Sequence, residues 1–450
     1  MSKNTTDMTV GNPTKHLLVF ALPMLIGNIF QQLYNLADSI VVGRFIGSEA
    51  FASIGETSSI TFLFFALCNG IGSGGGIVVS QYFGAHDTSG VKKCIINTGA
   101  IMLVTPICFG TAGYFLSPAL LRILGTSDNL LQDAVIYTRY MCIGLLFVSL
   151  YNFIASILRA LGDSKSPLLF LIVSTLINII LDMYFIIGFR MGIKGAALAT
   201  LISQMISVVL SAIYAYKKNP YFRFEKSDFS ITAEMCYKVT RLGIPLSLQF
   251  SLIAISAMAV QRVVNEFGSI AFAAFTATNR IEQLIHQPYG TLSASLATYC
   301  GQNYGAKDNE RVYAGYKSAC KIMLILTAFL VLLMQIGGGF ITRLMIDDNP
   351  EVIKLAAFGL RITSLFYVSL GMINVIRGIL NGLGDAFFTL FNGIVEVIAR
   401  FTVPVFMTSY LGFGTTGIWL ACGIVWFISG FTSWLRYLFY FRLRIYKQNQ

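Results

Sequence analysis

A carboxylate stands at position 38 inside IGNIFQQLYNLADSIVVG, and Asp38 is the sole charged residue between Leu17 and Val42. That run is about the length of roughly 20 residues needed to cross a hydrocarbon core. Gln31, Tyr34, Asn35 and Asp38 recur every three or four residues, so on a helix they form one polar stripe in an apolar cylinder. STLINIILDMYF repeats the device with Ser174, Asn178 and Asp182, and the next apolar run adds Thr200, Ser203, Gln204 and Ser207. Such stripes must face protein or water, since lipid cannot satisfy them. Two carboxylates in one poorly hydrated pocket disfavour each other's ionised form and bind protons as a coupled unit. The same oxygens, with an amide carbonyl and a hydroxyl, are hard ligands suited to a sodium ion. The plainer alternative is that Asp38 and Asp182 only satisfy buried hydroxyls and amides.

The second half of the chain carries different polar groups. Gln249 and Gln261 lie in its first apolar run, and TNRIEQLIHQPYG follows, with Arg280, Gln283 and Gln287 on one helical face and Glu282 and His286 on another. His286 could sense pH, although a histidine one turn from a glutamate is commonly just hydrogen-bonded. Pro288 and Gly290 then weaken that helix and suggest a bend. In NGIVEVIARFTVPVF, Glu396 and Arg400 are one turn apart and can pair. A neutral structural pair is the favoured reading; the functional one lets Glu396 meet a cationic substrate. NGIGSGGG, from Asn69 to Gly76, matches G-x-G-x-x-G but has no strand before it, so close helix packing explains it better than a dinucleotide.

The elements that must position these groups are membrane spans. The 450 residues are 55% hydrophobic and 12% charged, where soluble chains carry about 25% charged residues. Twelve apolar segments can be marked, near 16–42, 52–80, 95–118, 134–158, 167–189, 193–216, 239–265, 270–299, 319–345, 352–381, 386–411 and 415–441. No short apolar core with a cleavage site follows the polar start, so the first span is expected to stay. The net charge of +11 is a topology signal and not a nucleic-acid footprint. With the N-terminus in the cytoplasm, twelve spans put most of the basic residues inside, Arg377 among them. The eight cysteines form no C-x-x-C pair and read as small packing residues.

Three sequence pairs reveal an internal repeat: the prolines at Pro23 and Pro245, SQYFGA with GQNYGA, and LRALGD with LNGLGD, all offset by 221 or 222 residues. The fold expected is therefore an all-α membrane protein of twelve transmembrane helices in two parallel six-helix repeats. The halves would be 1–216 and 238–450, joined by a polar cytoplasmic linker over 217–237. Repeats of this kind commonly open a midplane site to alternate sides. No G-x-x-x-x-G-K-[ST] motif is present to supply energy from ATP.

The Pro23 helix, YNLADSIVVGRFIG, SQYFGA, LRALGDSKSP and the NxxxD of the fifth run resemble the multidrug and toxic compound extrusion (MATE) transporters, over nearly the whole chain. The likeness is strongest to bacterial branches with a cation site in the N-terminal half. It implies an ion site of Asp38, Asn178, Asp182 and Thr200, with Gln31, Tyr34, Tyr137 and Asn152 in its hydrogen-bond network, and bending of the first helix at Pro23 and Gly27. It also implies export of cationic or amphiphilic organic compounds in exchange for Na+ or H+, with no cofactor. The expected setting is the bacterial inner membrane, with both termini cytoplasmic and the monomer sufficient. The chain departs from branches that carry acids in helices seven and ten, which argues against a second-half cation site of that type. Two other functions compete with export. A flippase of lipid-linked sugars or lipids would want a strongly cationic cavity, whereas the first-half charges are acidic. An integral membrane transferase would need a catalytic cluster, and Asp347 and Asp348 read better as a solvated turn.

Overall fold

In a computed structural model of the chain, the described residues are 5–344 and 349–444, without the side chains of 34–40, 48–51, 56, 58–59, 254–255, 257–258 and 440–444. The long apolar runs fold as helices, because only internal backbone pairing is tolerated in lipid. They are α1 (Pro13–Phe45), α2 (Ser48–Gly84), α3 (Thr88–Ile123), α4 (Asp128–Ala160), α5 (Lys165–Asp182), α6 (Ile193–Lys218) and α7 (Ala233–Asn265). They continue with α8 (Gly268–Gly305), α9 (Asn309–Arg343), α10 (Pro350–Ser364), α11 (Tyr367–Gly382), α12 (Ala386–Val405) and α13 (Gly414–Arg444). Taking α10 and α11 as one broken span gives the expected twelve. Among the described residues, nine helices are long and apolar enough to cross by themselves, or ten with that pair. Polar residues such as Arg280, Glu282 and His286 keep α8 outside that set, although it is 38 residues long.

The internal repeat is visible in backbone detail. After α5 the helix widens by one π turn, with the Phe189 N–H bonded to the Tyr184 carbonyl, and after α12 the Leu411 N–H bonds the Phe406 carbonyl in the same way. Gly162 and Gly384 both end helices at positive φ, 84° and 86°, a conformation glycine adopts without steric cost. Asp87 and Asp308 each accept the backbone N–H three residues on, from Gly90 and Arg311, so the two halves use the same N-cap.

Two compact units emerge, one of residues 1–7 and 22–251, the other of 8–21 and 252–450. The start of α1 is thus anchored in the second unit, where Met8 accepts from Asn303 and Arg311 and the Leu17 carbonyl accepts from Ser295. The start of α7 is anchored in the first, where Ser247 Oγ donates to the Leu67 carbonyl at 2.7 Å. The glycine run of α2 makes that possible: a Cβ at Gly70 would collide with Ser247 and one at Gly74 with Gly243. Close packing therefore accounts for NGIGSGGG.

The 217–237 segment is docked on the first unit. Lys92 pairs with Asp228 at 3.1 Å, and Asn97 donates to the Ser230 carbonyl and accepts from the Thr232 N–H. The Asp228 carboxyl is held below its ordinary range, first by the Glu225 backbone N–H and then by Lys92.

In the second half α8 stays helical through Pro288. The interruption lies in span ten, where α10 and α11 meet at 53°. There the Leu365 and Phe366 N–H groups tighten to carbonyls three residues back. The Arg361 carbonyl is taken instead by Ser364 Oγ at 2.8 Å and by Gln335 Nε2 of α9 at 2.9 Å, which replaces the lost helical bond.

Candidate functional site

In the first unit, the polar stripe of α5 turns inward against α6. Asn178 and Asp182 are each only 1% exposed, and Ser174 is buried with them. The Asn178 amide, oriented so that both its ends are satisfied, donates from Nδ2 to Asp182 Oδ2 at 2.9 Å and accepts the Thr200 backbone N–H on Oδ1 at 3.2 Å. The opposite orientation offers Thr200 only a long contact, 3.4 Å to its hydroxyl. Ser174 Oγ donates to the Ser203 carbonyl at 3.1 Å, and Ser203 Oγ to the Thr200 carbonyl. Four-residue spacing on α5 thus converts directly into a line of contacts with one turn of α6.

Tyr137 of α4 is buried in an apolar cluster with Val42 of α1, Ile186 of the π turn, and Ile193, Ala196 and Ala197 of α6. Asn152 is bonded locally, Nδ2 to the Val148 carbonyl at 3.0 Å. Gln31 is exposed on α1, whereas Pro23 and Gly27 are buried, the latter against Leu168 and Leu171 of α5. Tyr34, Asn35 and Asp38 lie outside the described residues. Among the described residues no three His, Cys, Asp or Glu side chains gather as metal ligands.

In the second unit, Glu396 is 4% exposed and answers two guanidinium groups. Arg400 Nη2 donates to Oε1 at 2.8 Å and Arg377 Nη2 to Oε2 at 2.9 Å. Arg377 also bonds Asn392 Oδ1, and Asn392 bonds the Ser429 carbonyl and the Thr432 hydroxyl. The pair read from the sequence is therefore a triad. Arg377, counted above among the cytoplasmic charges, is a half-buried partner on α11. Only the four-residue spacing of Asn392, Glu396 and Arg400 on one helical face hinted at such a network.

Gln261 donates to Asn265 at 3.4 Å, and Arg280 and Gln283 are exposed. His286 packs edge-on against Trp426, with ring centroids 5.5 Å apart. The structure does not join these residues into one site; it does bring His286 near Glu396 and Arg400.

The MatE family profile matches the chain twice, over residues 23–184 and 245–406, in register with the internal repeat. The chain is 30% identical to the probable multidrug resistance protein YpnP of Bacillus subtilis, over 96% of each chain. It is 25% identical to the multidrug export protein MepA of Staphylococcus haemolyticus, over 90% of this chain and 88% of that one. A solved outward-facing multidrug resistance MATE family transporter of the MOP superfamily superposes with a TM-score of 0.92, covering 100% of both chains at 24% identity. The duplicated profile, the whole-length relatives and the twelve-span fold agree: the chain belongs to the MatE family of membrane transporters.

Proposed function

We propose that the chain is a secondary active antiporter that exports cationic or amphiphilic organic compounds in exchange for H+ or Na+ by alternating access. The observation that carries the reading is the Asn178–Asp182 pair, a carboxylate buried at span depth and held by a designed donor. Asp38 is the second coupling carboxylate. In support, Val42 of α1 and Ile186 of the π turn that follows Asp182 share one buried cluster.

Asn178, Thr200, Tyr137 and Asn152 complete the site, with Gln31 and Tyr34 at its edge and Pro23 and Gly27 as the hinge of α1. An N–H facing Asp182 suits a carboxylate that exchanges a proton; a sodium ion would need Asn178 to turn its carbonyl inward. The working parts are the halves 1–216 and 238–450 with the linker 217–237. The protein acts as a monomer in a bacterial inner membrane, both termini cytoplasmic. The multidrug names of YpnP and MepA support the cargo class.

The test is export of a fluorescent organic cation from proteoliposomes under a pH gradient or a sodium gradient imposed separately. One gradient should drive export, and Asp38→Asn and Asp182→Asn should each reduce it to background at normal protein levels. Full export by both variants would reject the assigned site. If no cation is exported under either gradient, the reading fails, and lipid-linked cargo is the next class to assay.

A further inference from the structure

Glu282 of α8 is 7% exposed, and its Oε1 has no hydrogen-bond partner. No ion pair among the described residues includes it. Every other described carboxylate at span depth in the second unit is compensated, since Glu396 is held by two arginines.

The groups around Glu282 come from α10, α11, α12 and α13. Thr363 and Tyr367 flank the break between α10 and α11, Cys422 comes from α13, and Arg400 from α12. His286 lies one turn along α8 itself. Arg400 gives its Nη2 to Glu396, and Thr363 Oγ1 faces the Leu360 carbonyl at 3.4 Å. The Tyr367 hydroxyl is fully buried and has no partner.

An ionised carboxylate there has no ion-pair partner and is offset by the Thr363 hydroxyl and the more distant Arg400 charge, less than its burial costs, so the neutral acid is favoured. A metal ion would need several oxygens, and one carboxylate with two hydroxyls falls short, whereas a proton needs one oxygen. Interrupted helices are where backbone and side chains are free to rearrange around a transported ion.

We propose that Glu282 is a proton-binding site of the second half. It carries the proton in this conformation and gives it up to water when the break between α10 and α11 opens. The site is distinct from Asp38 and Asp182.

The test is infrared spectroscopy of the purified full chain in lipid at neutral pH, reading the carbonyl stretch of protonated carboxylic acids. The measurement needs no substrate, so it stands apart from the export assay. The expected result is a band present in wild type and in the Asp38→Asn, Asp182→Asn double variant, and lost in Glu282→Gln. An unchanged spectrum in Glu282→Gln would overturn the proposal. If that variant fails to accumulate, Glu282→Asp should move the band, and a band left in place is equally fatal.

Discussion

At Glu396 a single carboxylate compensates two arginines, so removing it leaves two half-buried cations facing each other. Breaking such a network costs about 3–5 kcal/mol, whereas replacing the whole network with apolar residues can be close to neutral. Glu396→Gln should therefore lower the melting temperature sharply, and the triple variant Arg377→Met, Glu396→Leu, Arg400→Met should recover most of the loss in a thermal-shift assay. At the other buried network, Asn178→Leu removes a donor from Asp182 and an acceptor from the Thr200 N–H. The expected cost is about 1–3 kcal/mol. Thr200→Ala keeps the backbone N–H and should stay near wild type in the same assay. Equal losses in the two variants would contradict the amide orientation.

At the scale of elements, the break between α10 and α11 depends on Gln335 and Ser364 to satisfy the Arg361 carbonyl. Gln335→Leu should raise hydrogen exchange at residues 361–367 well above that of the matching unbroken stretch of α4, and unchanged exchange would show that the break does not rely on this bond. The 217–237 segment behaves as a docked strap, with Asp228 as one tie to α3 beside the Asn97 bonds. Because the Asp228 carboxyl is held below its ordinary value, near about 3.9 in model peptides, its contribution is complete above that value. It is lost as pH falls through the depressed one. Asp228→Asn copies the protonated form at neutral pH, where limited proteolysis of the strap should quicken several-fold relative to wild type.

At the scale of the whole molecule, two copies of one six-helix plan have kept their backbone and exchanged their chemistry. Phe189 and Leu411 close equivalent π turns, yet Asp182 has Pro404 as its counterpart in the second copy and Asn178 has Arg400. The proposed orientation is checked by fluorescent-protein fusion at the C-terminus, which should fluoresce, whereas an alkaline phosphatase fusion there should be inactive. The opposite pattern would invert the topology.

The apolar length of the runs, their repeat offset and the four-residue spacing of Ser174, Asn178 and Asp182 were legible along the chain, because span length and helical phase are local properties. The twelve spans and the inward α5 stripe follow from them. Which partners those side chains meet is decided by packing between distant elements. Along the chain Arg377 reads only as one of the cytoplasmic-side basic residues, because its partner lies 19 residues away on another helix. The broken span ten has no proline at its break, and its freed carbonyl is rescued by Gln335, 26 residues earlier. Glu282 differs from Glu396 only in what surrounds it: two guanidinium groups form ion pairs with Glu396 and none pairs with Glu282, a distinction that exists only once the helices are assembled.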